Sequence, residues 1–80
     1  MNTMTETALR GYRLEMKPRV SKEKVAHEAH ITLQTYQNAE NGGNCSYSTA
    51  KSIFAAINIL RNEKGLKRVK SIDDLGLNIV

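Results

Sequence analysis

The chain has 80 residues, a formal net charge of +4 and a single cysteine. This length fits one domain over residues 1–80, and one cysteine can neither form an internal disulfide nor bind zinc by itself. No apolar run approaches the roughly 18 residues that a membrane helix needs. Composition therefore argues against a membrane protein, a disulfide scaffold and an enzyme with a large enclosed pocket. It favours a location in the reducing cytoplasm.

Basic side chains are concentrated in two blocks. Residues 1–24 hold six basic and three acidic side chains, and residues 51–70 hold six basic side chains and one glutamate. Residues 25–50 hold two glutamates and no Lys or Arg, but they are rich in Gln, Asn and Thr. Flanking cations can bind phosphates while neutral amides between them read base edges. The same blocks are equally compatible with solvated helix faces.

A first helix is predicted over residues 5–15. Thr3-x-x-Glu6 has the spacing of a capping box, and apolar residues from Ala8 to Met16 follow at helical spacing. Pro18 ends this helix, because the residue before a proline is pushed out of the helical region.

Two short helices are predicted next. Ser21 is a good N-cap for the second helix and Thr32 for the third, because a short hydroxyl can accept a hydrogen bond from the first turn. The His30-Ile31 pair separates them.

A glycine-containing loop over residues 41–44 precedes the fourth helix. Ser46 or Ser48 caps this helix, whose apolar residues form a stripe with a 3.6-residue period, and Gly65 ends it.

The last residues predict a short capped turn and an apolar tail. Ser71-x-x-Asp74 begins the turn and Gly76 closes it. The tail alternates like a strand but is too short to be a sheet alone. It either forms a dimer seam or folds back over its own core, and its apolar residues are Leu75, Leu77, Ile79 and Val80.

The predicted fold class is therefore all-α. We expect a compact four- to five-helix domain with a helical core over about residues 5–64 and a C-terminal extension over residues 65–80.

Residues 21–41 have the pattern of a helix-turn-helix, in which two short helices are joined by a tight turn. Ala26 supplies the small residue that the helix crossing needs, and Ile31 supplies an apolar plug after the turn. Tyr36 and Ala39 then anchor the inner face of the second of these helices. This pattern indicates that Tyr36 is a core residue rather than a base-stacking one.

The opposite face of that helix carries side chains suited to reading bases. Gln and Asn can form paired hydrogen bonds with adenine, and Leu or a Thr methyl can contact a thymine methyl. A helix N-terminus also favours a nearby phosphate. The face comprises Leu33, Gln34, Gln37 and Asn38, with Thr32 and Thr35 at its start.

The segment, its Glu40-Asn41-Gly42 ending and the YSTAKSIFAAINI stretch that follows resemble the Cro/Xre family of helix-turn-helix regulators, which are lambda-repressor-like. The resemblance covers about residues 9–60, and its twenty-position window falls on residues 22–41. It implies five packed helices, DNA binding through the third helix and a two-fold dimer on a palindromic site.

The resemblance also implies roles for individual residues. Lys22, which opens the second helix, would contact a phosphate. The bases would be read by Leu33, Gln34, Gln37 and Asn38. Further backbone contacts would come from Thr32, Thr35, Asn41, Asn44, Ser46 and Ser48.

The chain departs from the family pattern in two places. His30 occupies a turn position that is typically glycine, which requires a histidine in the left-handed region. The connection between the first two helices is also longer than usual and contains Pro18. The family's ion pair implies Arg13 with Glu40, although this longer connection leaves Arg10 as an alternative partner.

No metal site or catalytic arrangement is predicted. His27 and His30 stand three residues apart, but with Cys45 they do not make a complete ligand set. We expect Cys45 to be an ordinary loop thiol. No cofactor and no small-molecule ligand are expected, and the chain is not expected to be an enzyme.

The basic run over residues 61–70 has two readings: it either grips DNA or forms a solvated helix end. Tyr47, just before the fourth helix, is open to a contact with the DNA backbone.

The sequence thus predicts a bacterial or phage-type transcriptional regulator, a repressor, that binds double-stranded DNA as a homodimer. No arginine lies on the reading face, so A·T-rich positions are expected rather than guanine. The alternative is a protein-interaction module, such as an antitoxin or an inhibitor of another regulator.

Overall fold

The computed structural model describes residues 7–80, most of which are helical. Four α-helices occur in this part of the chain: α1 (Ala8–Leu14), α2 (Lys22–Glu28), α3 (Leu33–Glu40) and α4 (Tyr47–Glu63). A short 3-10 helix spans Ile72–Leu75, and two strands, β1 (Asn44–Cys45) and β2 (Asn78–Ile79), complete the described elements.

The first helix is shorter than the sequence predicts. Thr7 is its N-cap with extended backbone, so α1 begins at Ala8 rather than at residue 5. The Thr7 hydroxyl donates a hydrogen bond to the backbone carbonyl of Glu40 at 2.9 Å instead of capping its own helix. The predicted capping box at Thr3-x-x-Glu6 lies outside the described residues.

Hydroxyl caps begin the three following helices. The side chains of Ser21, Thr32 and Ser46 each accept a hydrogen bond from the backbone N–H three residues on. These contacts confirm the first two caps and select Ser46 over Ser48 for α4. Ser71 occupies the predicted N-cap position of the 3-10 helix but makes no such side-chain bond, and its backbone carbonyl accepts from the N–H of Asp74 at 3.1 Å.

A tight turn joins α2 to α3. His30 has a φ of 60°, which confirms that this histidine adopts the left-handed conformation. The next residue, Ile31, then donates its backbone N–H to the carbonyl of Ala26 at 3.0 Å and closes the turn. The side chain of His30 is exposed, so the left-handed backbone forces no bulky group into the core.

The all-α prediction needs one correction, because β1 and β2 pair in parallel. Asn44 aligns with Asn78 and Cys45 with Ile79, so part of the predicted loop is a strand. Burial of the tail drives this pairing: Leu75 is fully buried, and Leu77 and Ile79 pack against the core. The tail therefore folds back over its own core.

The core lies between the four helices. Its largest fully buried side chains come from all four helices, the 3-10 helix and the connecting segments, and Tyr36 is among them, which confirms its predicted core position. The largest of these core side chains include Leu9, Met16, Tyr36, Ile53, Ile57 and Leu75.

None of the helices in the described part of the chain has the length and apolar character needed to cross a bilayer.

Candidate nucleic-acid interface

A buried ion pair fixes the end of α3. Arg13 Nε donates to Glu40 Oε1 at 2.8 Å, and Arg13 Nη2 donates to Glu40 Oε2 at 3.3 Å. Tyr36 adds a third hydrogen bond by donating its hydroxyl to Glu40 Oε1 at 2.7 Å. Arg13 Nη1 also donates to the carbonyl of Val20 at 3.0 Å. The two charges are thus satisfied inside the protein, and they anchor α3 to α1 and to the chain before α2.

The same contacts set the protonation of the cluster. Burial acts to raise the pKa of Glu40, but hydrogen bonds from Arg13 and Tyr36 and the nearby positive charges lower the pKa overall. Burial acts to lower the pKa of Arg13, and its contacts with Glu40 raise it overall. For Tyr36, burial and the hydrogen bond to Glu40 both raise the pKa. Glu40 and Arg13 are therefore charged, and Tyr36 is a neutral donor, at neutral pH.

Lys22 extends this cluster towards the surface. Its Nζ lies 3.8 Å from Glu40 Oε2, and its side chain is about one-third exposed. Two cations therefore share one carboxylate, which leaves one positive charge in excess within the group of Arg13, Lys22 and Glu40. This charge is compatible with the phosphate contact predicted for Lys22.

The outward face of α3 carries most of the predicted base-reading side chains. Gln34 and Asn38 are exposed, whereas Leu33 and Gln37 are half-buried. The face is free to approach a ligand because Tyr36, Ala39 and Glu40 hold the other side of α3 in the core.

A polar cleft of about 460 Å³ runs between α3 and the N-terminus of α4. The structure therefore brings together predicted site residues from α3, the loop and the N-cap of α4, from Gln34 to Ser46. Hydroxyl and amide groups dominate its lining, which consists of Gln34, Thr35, Asn38, Asn44, Cys45, Ser46 and Thr49.

The hydroxyls near the cleft serve first as helix caps. Thr32 Oγ1 accepts from the backbone N–H of Thr35 at 3.1 Å and donates to the Thr35 hydroxyl at 2.8 Å. Ser46 Oγ accepts from the backbone N–H of Thr49 at 3.1 Å and lies 3.2 Å from Ser48 Oγ. All four predicted contact residues, Thr32, Thr35, Ser46 and Ser48, are exposed, so their outer surfaces can still face a phosphate.

The predicted contact residues in the loop differ in their surroundings. Asn41 is exposed at the end of α3. Asn44 is also exposed, but its backbone carbonyl accepts a hydrogen bond from Asn38 Nδ2 at 3.0 Å. The amide of Asn38 is therefore partly engaged within the protein, which the sequence did not indicate.

Arg61, the first residue of the predicted basic run, lies in surroundings that the sequence did not predict. It is buried, donates from Nε to the carbonyl of Lys67 at 2.8 Å, and donates from Nη1 to Tyr12 O at 3.1 Å and Glu15 Oε1 at 2.8 Å. Its guanidinium also lies 5.1 Å from the centre of the Tyr12 ring. Arg61 is thus not part of a solvated helix end but a buried link between α4, α1 and the following segment.

Residues 7–80 contain no group of three or more His, Cys, Asp or Glu side chains arranged to hold a metal ion. His27 and His30 are both exposed. Cys45 is buried in β1, and burial raises the pKa of its thiol, which disfavours the reactive thiolate.

The arrangement offers neutral donors and acceptors on an exposed helix, beside the N-termini of α3 and α4. Such groups bind by shape and hydrogen bonding rather than by covalent chemistry. Comparisons with protein-family models, curated proteins and solved structures found no match to this chain.

Proposed function

We propose that the chain binds double-stranded DNA sequence-specifically, as a Cro/Xre-type helix-turn-helix transcriptional regulator that acts as a repressor. The observation that carries this proposal is the exposed amide face of α3 along the polar cleft, while α3 itself is anchored by the buried Arg13–Glu40 pair. In this proposal α2 and α3 form the helix-turn-helix of a lambda-repressor-like fold, with α3 in the major groove.

Each part of the site has a role in the proposed complex. Gln34, Gln37 and Asn38 read adenine edges, and Leu33 contacts a thymine methyl. Lys22 binds a phosphate. The exposed hydroxyls and amides at the starts of α3 and α4 set the register on the backbone.

The assembly and location belong to the same proposal. A homodimer would place two α3 helices on half-sites about one turn of DNA apart, roughly 34 Å. The proposed cellular location is the cytoplasm, where a bacterial regulator meets its operator.

Selection of duplexes from a random pool tests this function directly. We expect an A·T-rich, two-fold site, bound by two copies of the chain and weakened steeply between about 50 and 200 mM salt. A guanine-dominated site would contradict the assigned reading face. Failure to retain any duplex at about 50 mM salt would reject DNA binding.

A second candidate is a protein-interaction module, such as an antitoxin or an inhibitor of another regulator. An open groove of about 420 Å³ on α4 favours it, because Phe54, Ala55 and Ile59 line this groove beside Arg68. Ile59 is 46% exposed and lies beside Phe54 in this groove, and adjoining exposed apolar groups are what a protein partner would cover. A tight complex with a protein, combined with no retention of DNA at about 50 mM salt, would favour this candidate.

A further inference from the structure

Three asparagines link the C-terminal strand to α3. Asn78 Nδ2 donates a hydrogen bond to Asn44 Oδ1 at 2.6 Å. The backbone carbonyl of the same Asn44 accepts from Asn38 Nδ2 at 3.0 Å. The tail of the chain is therefore connected to the outward face of α3 through one residue of the loop.

The backbone around these side chains is held in place as well. Asn44 and Asn78 are aligned partners in the β1–β2 pair, and the N–H of Val80 donates to the carbonyl of Cys45 at 3.0 Å. On the other side, the N–H of Gly43 donates to the backbone carbonyl of Asn38 at 2.8 Å. A Cβ at position 43 would overlap the amide of Asn38, so the glycine leaves the space that this amide occupies.

The contact with Asn44 determines how the Asn38 amide is presented. An asparagine amide has two N–H donors and one acceptor oxygen. One N–H is used by the Asn44 carbonyl, which also fixes which end of the amide is nitrogen. The other N–H and Oδ1, which lies beside Gly43, belong to an exposed side chain, and a donor with an acceptor is what the major-groove edge of adenine requires.

We propose that Asn78 is a positioning residue for base reading. It holds Asn44, and the Asn44 carbonyl holds the Asn38 amide with its free donor and acceptor towards the DNA. The C-terminal strand is thereby part of the recognition apparatus, although it contacts no base. This inference rests on the proposed DNA-binding function and adds a specificity determinant to it.

A double-mutant cycle with selected DNA tests the role of Asn78. Asn38→Ala identifies the base pair that Asn38 reads, by an expected loss of about tenfold in discrimination there. Asn78→Ala should lose about threefold in discrimination at the same base pair. The double variant should discriminate no less well than Asn38→Ala, because the two residues act in one network. Asn62→Ala, which removes an exposed amide from the end of α4, is the matched control and should equal the wild type.

Side-chain amide NMR of the free protein tests the link without DNA. Asn78→Ala and Gly43→Ala should both shift the Asn38 Nδ2 resonances, the first by releasing Asn44 and the second by displacing the amide directly. Because Asn78 and Gly43 perturb Asn38 through different contacts, a fold defect in one variant does not decide the result. Circular dichroism of each variant checks that the helices are retained.

The outcomes distinguish a failure of the proposed role of Asn78 from a failure of the proposed DNA binding. A wild-type chain that binds no duplex rejects the proposed function, whatever the NMR result. Normal wild-type binding with unchanged Asn38 resonances in Asn78→Ala rejects the link alone. The role of Asn78 is also rejected if the losses from Asn38→Ala and Asn78→Ala multiply in the double variant.

Discussion

Arg13 and Glu40 form a buried ion pair that ties the end of α3 to α1, with the two guanidinium–carboxylate contacts at 2.8 and 3.3 Å. Both side chains are almost fully buried, at 8% and 0% exposure. The pair therefore sets the position of the helix that carries the proposed reading face.

Removing one member of the pair should strongly destabilise the fold. Arg13→Ala leaves the Glu40 carboxylate buried with fewer donors, so the free energy of unfolding should fall by about 3–5 kcal/mol. Glu40→Ala should cost about as much, and the double variant should cost less than the sum of the singles. Urea unfolding measures these values, with the exposed Glu63→Ala as control. Additive losses would show that the pair is not coupled.

The pH dependence of stability should reflect the protonation of the Glu40 carboxylate. Because its pKa is lowered in the folded state, the unfolded state binds more protons in acid. The ionised Glu40 carboxylate contributes fully to the free energy of unfolding above the ordinary glutamate pKa of 4.5. This contribution is lost as the pH falls below 4.5 and through the lowered pKa of the folded state. Chemical unfolding between pH 7 and pH 2.5 should show this decline, and Glu40→Gln should flatten it. An equally steep decline in Glu40→Gln would assign the effect to other carboxyl groups.

Arg61 should matter for stability and not for DNA contact. Arg61→Ala leaves the carbonyls of Tyr12 and Lys67 without this donor, so we expect a loss of about 2–3 kcal/mol in unfolding free energy. Exposed Arg68→Ala should change stability by less than about 0.5 kcal/mol. Under conditions where the Arg61 variant is folded, its salt dependence of DNA binding should match the wild type. A reduced salt dependence would instead make Arg61 a phosphate contact.

The features that sequence predicts best here are local ones. Ser21 and Thr32 could be assigned as caps because capping depends on residues only three positions apart. The core position of Tyr36 follows from helical spacing, and the left-handed His30 follows from its place in the turn. The outward position of Gln34 follows from the same helical spacing.

The features that sequence missed depend on distant partners. Arg61 belongs to a basic run that looks solvated, and its contacts with α1, among them Glu15 at 46 positions away, are not visible in the local sequence. The tail shows strand-like alternation in the sequence, but its pairing with Asn44 and Cys45 could not be predicted, because two residues beside a glycine loop carry no strand pattern of their own. Asn38 was read as a base contact alone, because nothing local shows that the carbonyl of Asn44 accepts from its amide.

Gln34 should determine sequence preference at one position. Its exposed amide lies on the cleft, so Gln34→Ala should relax discrimination at a single base pair by about 1–3 kcal/mol. Competition binding with duplexes changed one base pair at a time measures this. Asn62→Ala again serves as the matched amide control. A uniform loss at every position would show that Gln34 contacts the backbone rather than a base.

Lys22 should contribute affinity without sequence preference. Glu40 is already held by two hydrogen bonds from Arg13, so Lys22 is the second cation on this carboxylate and leaves the group of three with one positive charge in excess. Lys22→Ala should weaken binding to all duplexes alike and reduce the slope of log affinity against log salt by about 1 for each bound copy. Lys22→Arg keeps the charge and should keep the slope. A change in base preference with an unaltered slope would place Lys22 at a base edge and remove it from the phosphate contacts, because neutralising a phosphate is what releases counterions.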